Sequence, residues 1–144
     1  MANVYFDSSA FVKLLVDEEG SDTAATLWDR CDIAISSRLA YHEVMAALAA
    51  ARRSDRLGEV DRRAAESTWT RFWAATRRVE LTEGVTISAG QLAREYALRS
   101  ADAVHVASAL AVGTGTIFAV WDHRLRAGAE DAGFRVVPAA SPVA

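Results

Sequence analysis

The sequence predicts a single α/β domain in which helices cover both faces of a parallel β-sheet. Its 144 residues are the length of one domain. Hydrophobic residues make up 51% of the chain and charged residues 24%, a balance typical of a folded protein with a hydrophobic core. Short apolar runs of β type alternate with longer stretches of helical periodicity, and this alternation is typical of parallel strands joined by helices.

The first half of the chain follows this alternation from its beginning. A strand is expected at 4–6, followed by a turn and a short helix near Phe11. Apolar spacing then predicts, in order, helix 21–31, strand 33–35, helix 38–53 and helix 60–76. In the last of these, Trp69 and Trp73 recur at helical spacing with other apolar residues. The two tryptophans are therefore expected in the core, with an exposed groove for a partner as the alternative.

The second half continues the pattern. It predicts, in order, strand 79–81, helix 87–98, helix 101–112, strand 117–121, helix 123–131 and strand 134–137. Gly113 and Gly115 end the helix before the fourth strand and form a turn. The predicted domain spans 1–138, and 139–144 are expected to form a short flexible tail.

Composition indicates a cytoplasmic protein. Cys31 is the single cysteine, so an intrachain disulfide is impossible and a reducing compartment is expected. The N-terminus lacks the basic start and the long apolar run of a signal peptide. The apolar stretch 39–51 ends at Arg52 and Arg53, well short of a membrane span, so no contact with a membrane is expected.

Net charge alone argues against a nucleic-acid partner, because the formal value is -3 and most such domains are basic. Four acids proposed below as site residues account for the negative net charge, since the chain without them has a charge of +1. Nearly all the cations are arginines, whose planar fork binds phosphate through two oxygens. A cluster of arginines lies at 52–63. It could form a solvated surface, contact RNA or contact an acidic partner, and the sequence does not decide among these roles.

Two acidic residues directly follow apolar β-runs. Asp7 ends the run 4–6, and Asp122 ends the run 117–121. Ligand sites of open α/β sheets lie at the carboxyl ends of strands, so both positions favour a functional site. Capping of the following helix is the alternative for each.

Two further acids lie in largely apolar helices. Glu43 interrupts the stretch 39–51, in which only His42 is otherwise polar, so the helix is expected to be buried on all sides. A carboxylate there is costly unless it is paired or binds a metal, the alternative being a side chain that reaches solvent. Asp102 follows Ser100 at a helix start, and the alternative is a favourable first-turn acid with Ser100 as N-cap.

Together the four acids predict a divalent metal site. Clustered carboxylates repel unless a cation is present, and their hard oxygens suit Mg²⁺ or Mn²⁺ rather than zinc. Such an ion orients a phosphodiester, activates water and neutralises the leaving oxygen. The histidines and Cys31 match no zinc spacing, and His105 is expected to be a hydrogen-bonded core residue.

Four segments resemble the PIN domain and, within it, VapC-type toxins. They are DSSA at 7–10, ISS at 35–37 before the helix with Glu43, DAVHVASA at 102–109 and WDHRL at 121–125. The match runs in order from about residue 3 to 138, and the segment at 102–109 is its most specific part. The resemblance implies a sheet of order 3-2-1-4-5, in which the first and fourth strands are neighbours. It also implies an Mg²⁺-dependent endoribonuclease that binds one or two ions, forms a homodimer and is inhibited by a cognate antitoxin.

The resemblance assigns the residues of the expected site. The catalytic and metal-binding residues are Asp7, Glu43, Asp102 and Asp122. Substrate contacts are expected from Ser8, Arg124 and Arg126, although a turn role for Ser8 is equally open. The chain departs from the pattern at Val120, where many relatives carry threonine, and at His123, where arginine is common.

Other classes fit the sequence less well. A signalling receiver domain needs an acidic pair beside the first strand and a lysine after a late strand, whereas the single lysine here is Lys13. A phosphatase of the Asp-x-Asp type needs an acid where Ser9 stands. The remaining alternative is a PIN-fold module that binds RNA or protein with weak or no catalysis.

Overall fold

A computed structural model describes residues 2–139, in which five strands alternate with seven helices. The strands are β1 (Val4–Phe6), β2 (Ala34–Ser37), β3 (Arg77–Val79), β4 (Ile117–Ala119) and β5 (Val136–Val137). The helices are α1 (Ser8–Leu15), α2 (Ser21–Arg30), α3 (Ala40–Arg53), α4 (Glu59–Ala74), α5 (Glu83–Tyr96), α6 (Ser100–Val112) and α7 (His123–Asp131). The predicted tail lies outside the described residues except for Ala139, so the predicted domain bounds stay a prediction.

The strands form one parallel sheet of order β3-β2-β1-β4-β5, which confirms the expected topology. Val4 of the central strand pairs with Ala34 on one side and with Ile117 on the other. The chain winds outward in opposite directions from β1 and β4. Their carboxyl ends therefore border the crevice in which ligands of such sheets bind.

Helices pack against both faces of the sheet, as predicted. Side chains of a strand alternate between faces, so Tyr5 points into one core and its neighbour Phe6 into the other. The core around Tyr5 includes Val106 of α6, and the core around Phe6 includes Trp69 of α4. Trp69 is fully buried and Trp73 nearly so, which confirms that the two tryptophans belong to the core.

Some predicted bounds were wrong where polar residues enter regular structure. The third strand is β3 (Arg77–Val79) rather than 79–81, because exposed arginines on an edge strand leave no apolar signal. Helix α5 begins at Glu83 rather than 87, since the Thr82 side chain accepts from Val85 N–H and caps it. Strand β2 extends to Ser37 because Ser36 and Ser37 pair with β3, and the buried Ser36 hydroxyl donates to the Phe6 carbonyl.

The expectation that 39–51 is buried on all sides was also wrong. Tyr41 and His42 are exposed, and α3 buries one stripe in the core that it shares with α1 and α4. Alanines such as Ala46 make the sequence look apolar, but their small side chains cost little when exposed. Among the described residues, no helix has the length and apolar character needed to span a membrane.

Three arginines of the cluster at 52–63 pair with acids within its own turn and helix. Glu59 accepts from Arg62 and Arg63 and lies 3.4 Å from Arg52. Arg62 also pairs with Glu66 one turn further along α4. These contacts favour the solvated-surface interpretation of the cluster.

Candidate active site

The four predicted acids line one cavity of about 380 Å³ at the carboxyl edge of the sheet. Each comes from a different segment: Asp7 follows β1, Glu43 lies in the first turn of α3, Asp102 in the first turn of α6, and Asp122 precedes α7. Larger hollows elsewhere on the described surface lack this convergence of carboxylates. The sequence thus identified side chains that the fold brings together.

Asp7 is at once a helix cap and a buried acid of the cavity. Its Oδ1 accepts from Ala10 N–H at 2.8 Å, which caps α1, and Ser9 Oγ donates to both carboxylate oxygens at 2.9 Å. The residue is only 3% exposed. Burial raises the pKa of Asp7 to about 6, against the opposing effect of these hydrogen bonds. A nearby cation would therefore stabilise the charged form.

Asp122 also combines the two interpretations that the sequence left open. Its Oδ1 accepts from Leu125 N–H at 2.9 Å and caps α7. Its Oδ2 faces the guanidinium of Arg99, whose Nη2 lies 3.4 Å away. Capping uses one oxygen of the carboxylate and leaves the other directed to the site.

Arg99 is a cavity residue that sequence reasoning missed. Its Nε donates to Asp102 Oδ2 at 2.9 Å, so one guanidinium bridges Asp102 and Asp122. The hydrogen bond to Asp102 raises the pKa of Arg99. The proposed Ser100 cap was wrong, because α6 begins at Ser100 and Arg99 occupies the cap position. The sequence did offer one signal for Arg99. The helix dipole disfavours a positive charge at the N-terminus of a helix, so an arginine there indicates a role other than capping.

Glu43 is held by a buried histidine. His105 Nε2 lies 2.6 Å from Glu43 Oε1, and His105 Nδ1 lies 2.8 Å from the Tyr5 hydroxyl. His105 is 2% exposed, which confirms a hydrogen-bonded core histidine. The Glu43 side chain is 23% exposed and reaches the cavity.

The donor set fits a hard divalent cation, because it consists of carboxylate oxygens around a buried acid. Within residues 2–139, no three acid, histidine or cysteine side chains stand close enough to hold an ion as arranged. Arg99 bridges Asp102 and Asp122, so an ion held between these two carboxylates would take the place of its guanidinium. The Arg99 side chain is 56% exposed, and its displacement leaves the core intact.

The predicted substrate-binding residues lie in three different surroundings. Ser8 lines the acid cavity. Arg124 is exposed on the first turn of α7. Arg126 donates to the carbonyls of Val120 and Pro138, a contact that ties α7 to the ends of β4 and β5. Contact of these three with RNA stays a prediction.

Residues 4–130 match the family model of the PIN domain. The chain belongs to the PIN domain family. It is 63% identical over 140 residues to ribonuclease VapC45 of Mycobacterium tuberculosis, covering 96% of this chain and 97% of that protein. This PIN domain also resembles the crystal structure of PAE2754 from Pyrobaculum aerophilum, with a TM-score of 0.65, 21% identity, and coverage of 94% and 84% of the two chains. A chain of a toxin–antitoxin complex from Klebsiella pneumoniae shares the fold, with a TM-score of 0.62, 15% identity, and coverage of 83% and 86%.

Proposed function

We propose that this PIN domain is an endoribonuclease whose active site consists of Asp7, Glu43, Asp102 and Asp122. With 63% identity to ribonuclease VapC45 over nearly its whole length, the chain is a VapC-type ribonuclease, the toxin of a toxin–antitoxin system. The observation that supports this site best is the convergence of four carboxylates from four separate segments in one cavity.

Nucleases of this family are metal-dependent, and the ion proposed here is Mg²⁺, for which Mn²⁺ can substitute. When bound, it supplies Lewis-acid activation of water and neutralises charge at the phosphodiester. Asp7 and Asp102 would hold the tighter ion. Glu43 and Asp122 would complete its surroundings or hold a second one.

The chain's own residues prepare this site in distinct ways. Ser9 and Ala10 N–H hold the Asp7 carboxylate in one orientation before any ligand arrives. Arg99 neutralises Asp102 and Asp122 in the absence of an ion. Once displaced, its guanidinium stays beside the cavity and can bind two phosphate oxygens of the RNA backbone. It then orients the scissile phosphate between the acids.

Metal-dependent RNA cleavage tests the proposed function. The purified chain is expected to cut single-stranded RNA in MgCl₂ or MnCl₂, and to stop when EDTA is added, because the acids need a cation to act on a phosphodiester. The measurement is the position and yield of new RNA 5′ ends. Binding of RNA without cleavage in either metal would instead identify a catalytically inactive PIN-fold module.

We also propose that a short antitoxin protein inhibits the enzyme with an arginine placed among Asp7, Asp102 and Asp122. Arg99 supports this idea, because a guanidinium already fits between two of these acids. The arginine cluster at 52–63 and the tryptophan helix, both left open as partner surfaces by the sequence, have less support, since the tryptophans are buried and Arg62 and Arg63 are paired with Glu59.

The role of that arginine can be separated from simple binding. Its replacement by alanine in the partner is expected to weaken inhibition more than it weakens affinity, because apolar contacts persist. Affinity and RNA cleavage are measured side by side for the two forms of the partner. Full inhibition by the alanine form would show that the partner acts by covering the site. A homodimer and a cytoplasmic location stay predictions.

A further inference from the structure

Three polar side chains form a continuous line of hydrogen bonds from the core to the acid cavity. The Tyr5 hydroxyl contacts His105 Nδ1 at 2.8 Å, and His105 Nε2 contacts Glu43 Oε1 at 2.6 Å. Tyr5 and His105 are buried, and Glu43 is the member that reaches the cavity. The three residues lie on β1, α6 and α3, so the line joins three elements that frame the site.

The chemistry of the groups sets the direction of these hydrogen bonds. A carboxylate accepts hydrogen bonds and cannot donate them, so His105 Nε2 carries the hydrogen. In the neutral imidazole Nδ1 is then an acceptor, and the Tyr5 hydroxyl is its donor. The Glu43 carboxylate therefore selects the Nε2–H tautomer of His105, and the Tyr5 hydroxyl completes the line by donating to Nδ1.

We infer that His105 is a positioning residue for Glu43 and that Tyr5 fixes the orientation of the His105 ring. A partly exposed glutamate side chain has several accessible rotamers, and holding that side chain in one of them costs conformational entropy. The bond from His105 restrains Oε1 and leaves Oε2 available to a cation. The inference rests on the metal site proposed above, and it concerns residues outside the four acids.

The test is the affinity of the full chain for Mn²⁺ alone, measured by isothermal titration calorimetry. His105→Leu is expected to weaken binding about 10- to 100-fold, the usual effect of losing an outer hydrogen-bond partner of a metal ligand. His105→Gln should recover most of this loss, because its amide N–H reaches the position of Nε2. Tyr5→Phe keeps the ring and should give a smaller loss.

A double variant separates positioning from a general effect on the fold. In a Glu43→Gln background, His105→Leu should cause no further loss of Mn²⁺ affinity, since the ligand through which His105 acts is gone. Val106→Ala is the matched control, because Val106 is a buried neighbour on α6 outside this line. It should lower the melting temperature and leave Mn²⁺ affinity unchanged. An equal loss from His105→Leu with and without the Glu43 carboxylate would overturn the inference.

A measurement without metal tests the same geometry. Imidazole ¹⁵N chemical shifts of the wild-type chain should show the Nε2–H tautomer of His105. The opposite tautomer in the wild type would overturn the inference. If the wild type binds Mn²⁺ and His105→Leu leaves that affinity unchanged, this inference alone is overturned. Absence of wild-type Mn²⁺ binding would overturn both it and the proposed metal site.

Discussion

Replacement of Asp7 by asparagine is expected to reduce RNA cleavage by about a hundredfold to a thousandfold while the chain stays folded. The change removes one charge at nearly constant volume. The asparagine oxygen still accepts from Ala10 N–H, so the cap of α1 is preserved. The measurement is single-turnover cleavage of a labelled RNA at saturating Mg²⁺, with circular dichroism as the check on folding.

Asp131→Asn is the matched control, because Asp131 is an exposed acid at the last position of α7. The same chemical change there should leave the cleavage rate as in the wild type. If Asp7→Asn cleaved RNA at the wild-type rate, Asp7 would have no part in the reaction and the proposed site would be wrong.

Mg²⁺ or Mn²⁺ is expected to raise the melting temperature of the chain by roughly 10 °C at pH 7.5 and a hundredfold excess over Kd. The four carboxylates converge only in the folded state, so the ion binds that state alone. Such binding stabilises the fold by about 2.7 kcal/mol at this excess. NaCl at equal ionic strength is the control, because screening by salt does not require a site.

This metal effect should shrink below pH 6. The pKa of Asp7 is raised from 3.8 to about 6 by burial, so between these values the folded chain holds a proton that the unfolded chain has released. Stability of the metal-free protein therefore falls as pH rises through this window, by roughly 3 kcal/mol in all. Above pH 6 the carboxylate is charged, and a cation offsets this cost. Below pH 6 the ion must displace the proton, and binding weakens about tenfold per pH unit.

The Asp7→Asn variant distinguishes the cost of burying the Asp7 charge from the stabilisation by the metal ion. Without metal it should melt higher than the wild type at pH 7.5, because it buries no charge, and the difference should vanish below pH 4. It should also lose most of the stabilisation by Mg²⁺. Identical wild-type melting curves in MgCl₂ and NaCl at pH 7.5 would contradict a metal site in the folded chain.

Much of the fold was predictable because the buried strands are short, apolar and bounded by polar residues. Periodicity located β1 and β4, and resemblance to the PIN domain supplied the strand order that places them side by side. Periodicity failed at β3, an edge strand beginning with two arginines. Its regular structure comes from pairing with β2, a long-range contact that local apolar spacing does not record.

The sequence by itself singled out the four acids as a predicted site, because Asp7 and Asp122 follow apolar strands and Glu43 and Asp102 lie in largely apolar helical stretches. Only the tertiary structure decided how those acids are held. Tyr5 and His105 are 100 positions apart, and His105 and Glu43 are 62 apart. Arg99 meets Asp122 across 23 positions. Hydrogen bonds and burial depend on distances in space between separate elements, whereas apolar periodicity reports which face of one element is buried. The raised pKa of Asp7 and the bridging role of Arg99 therefore follow from the packed fold.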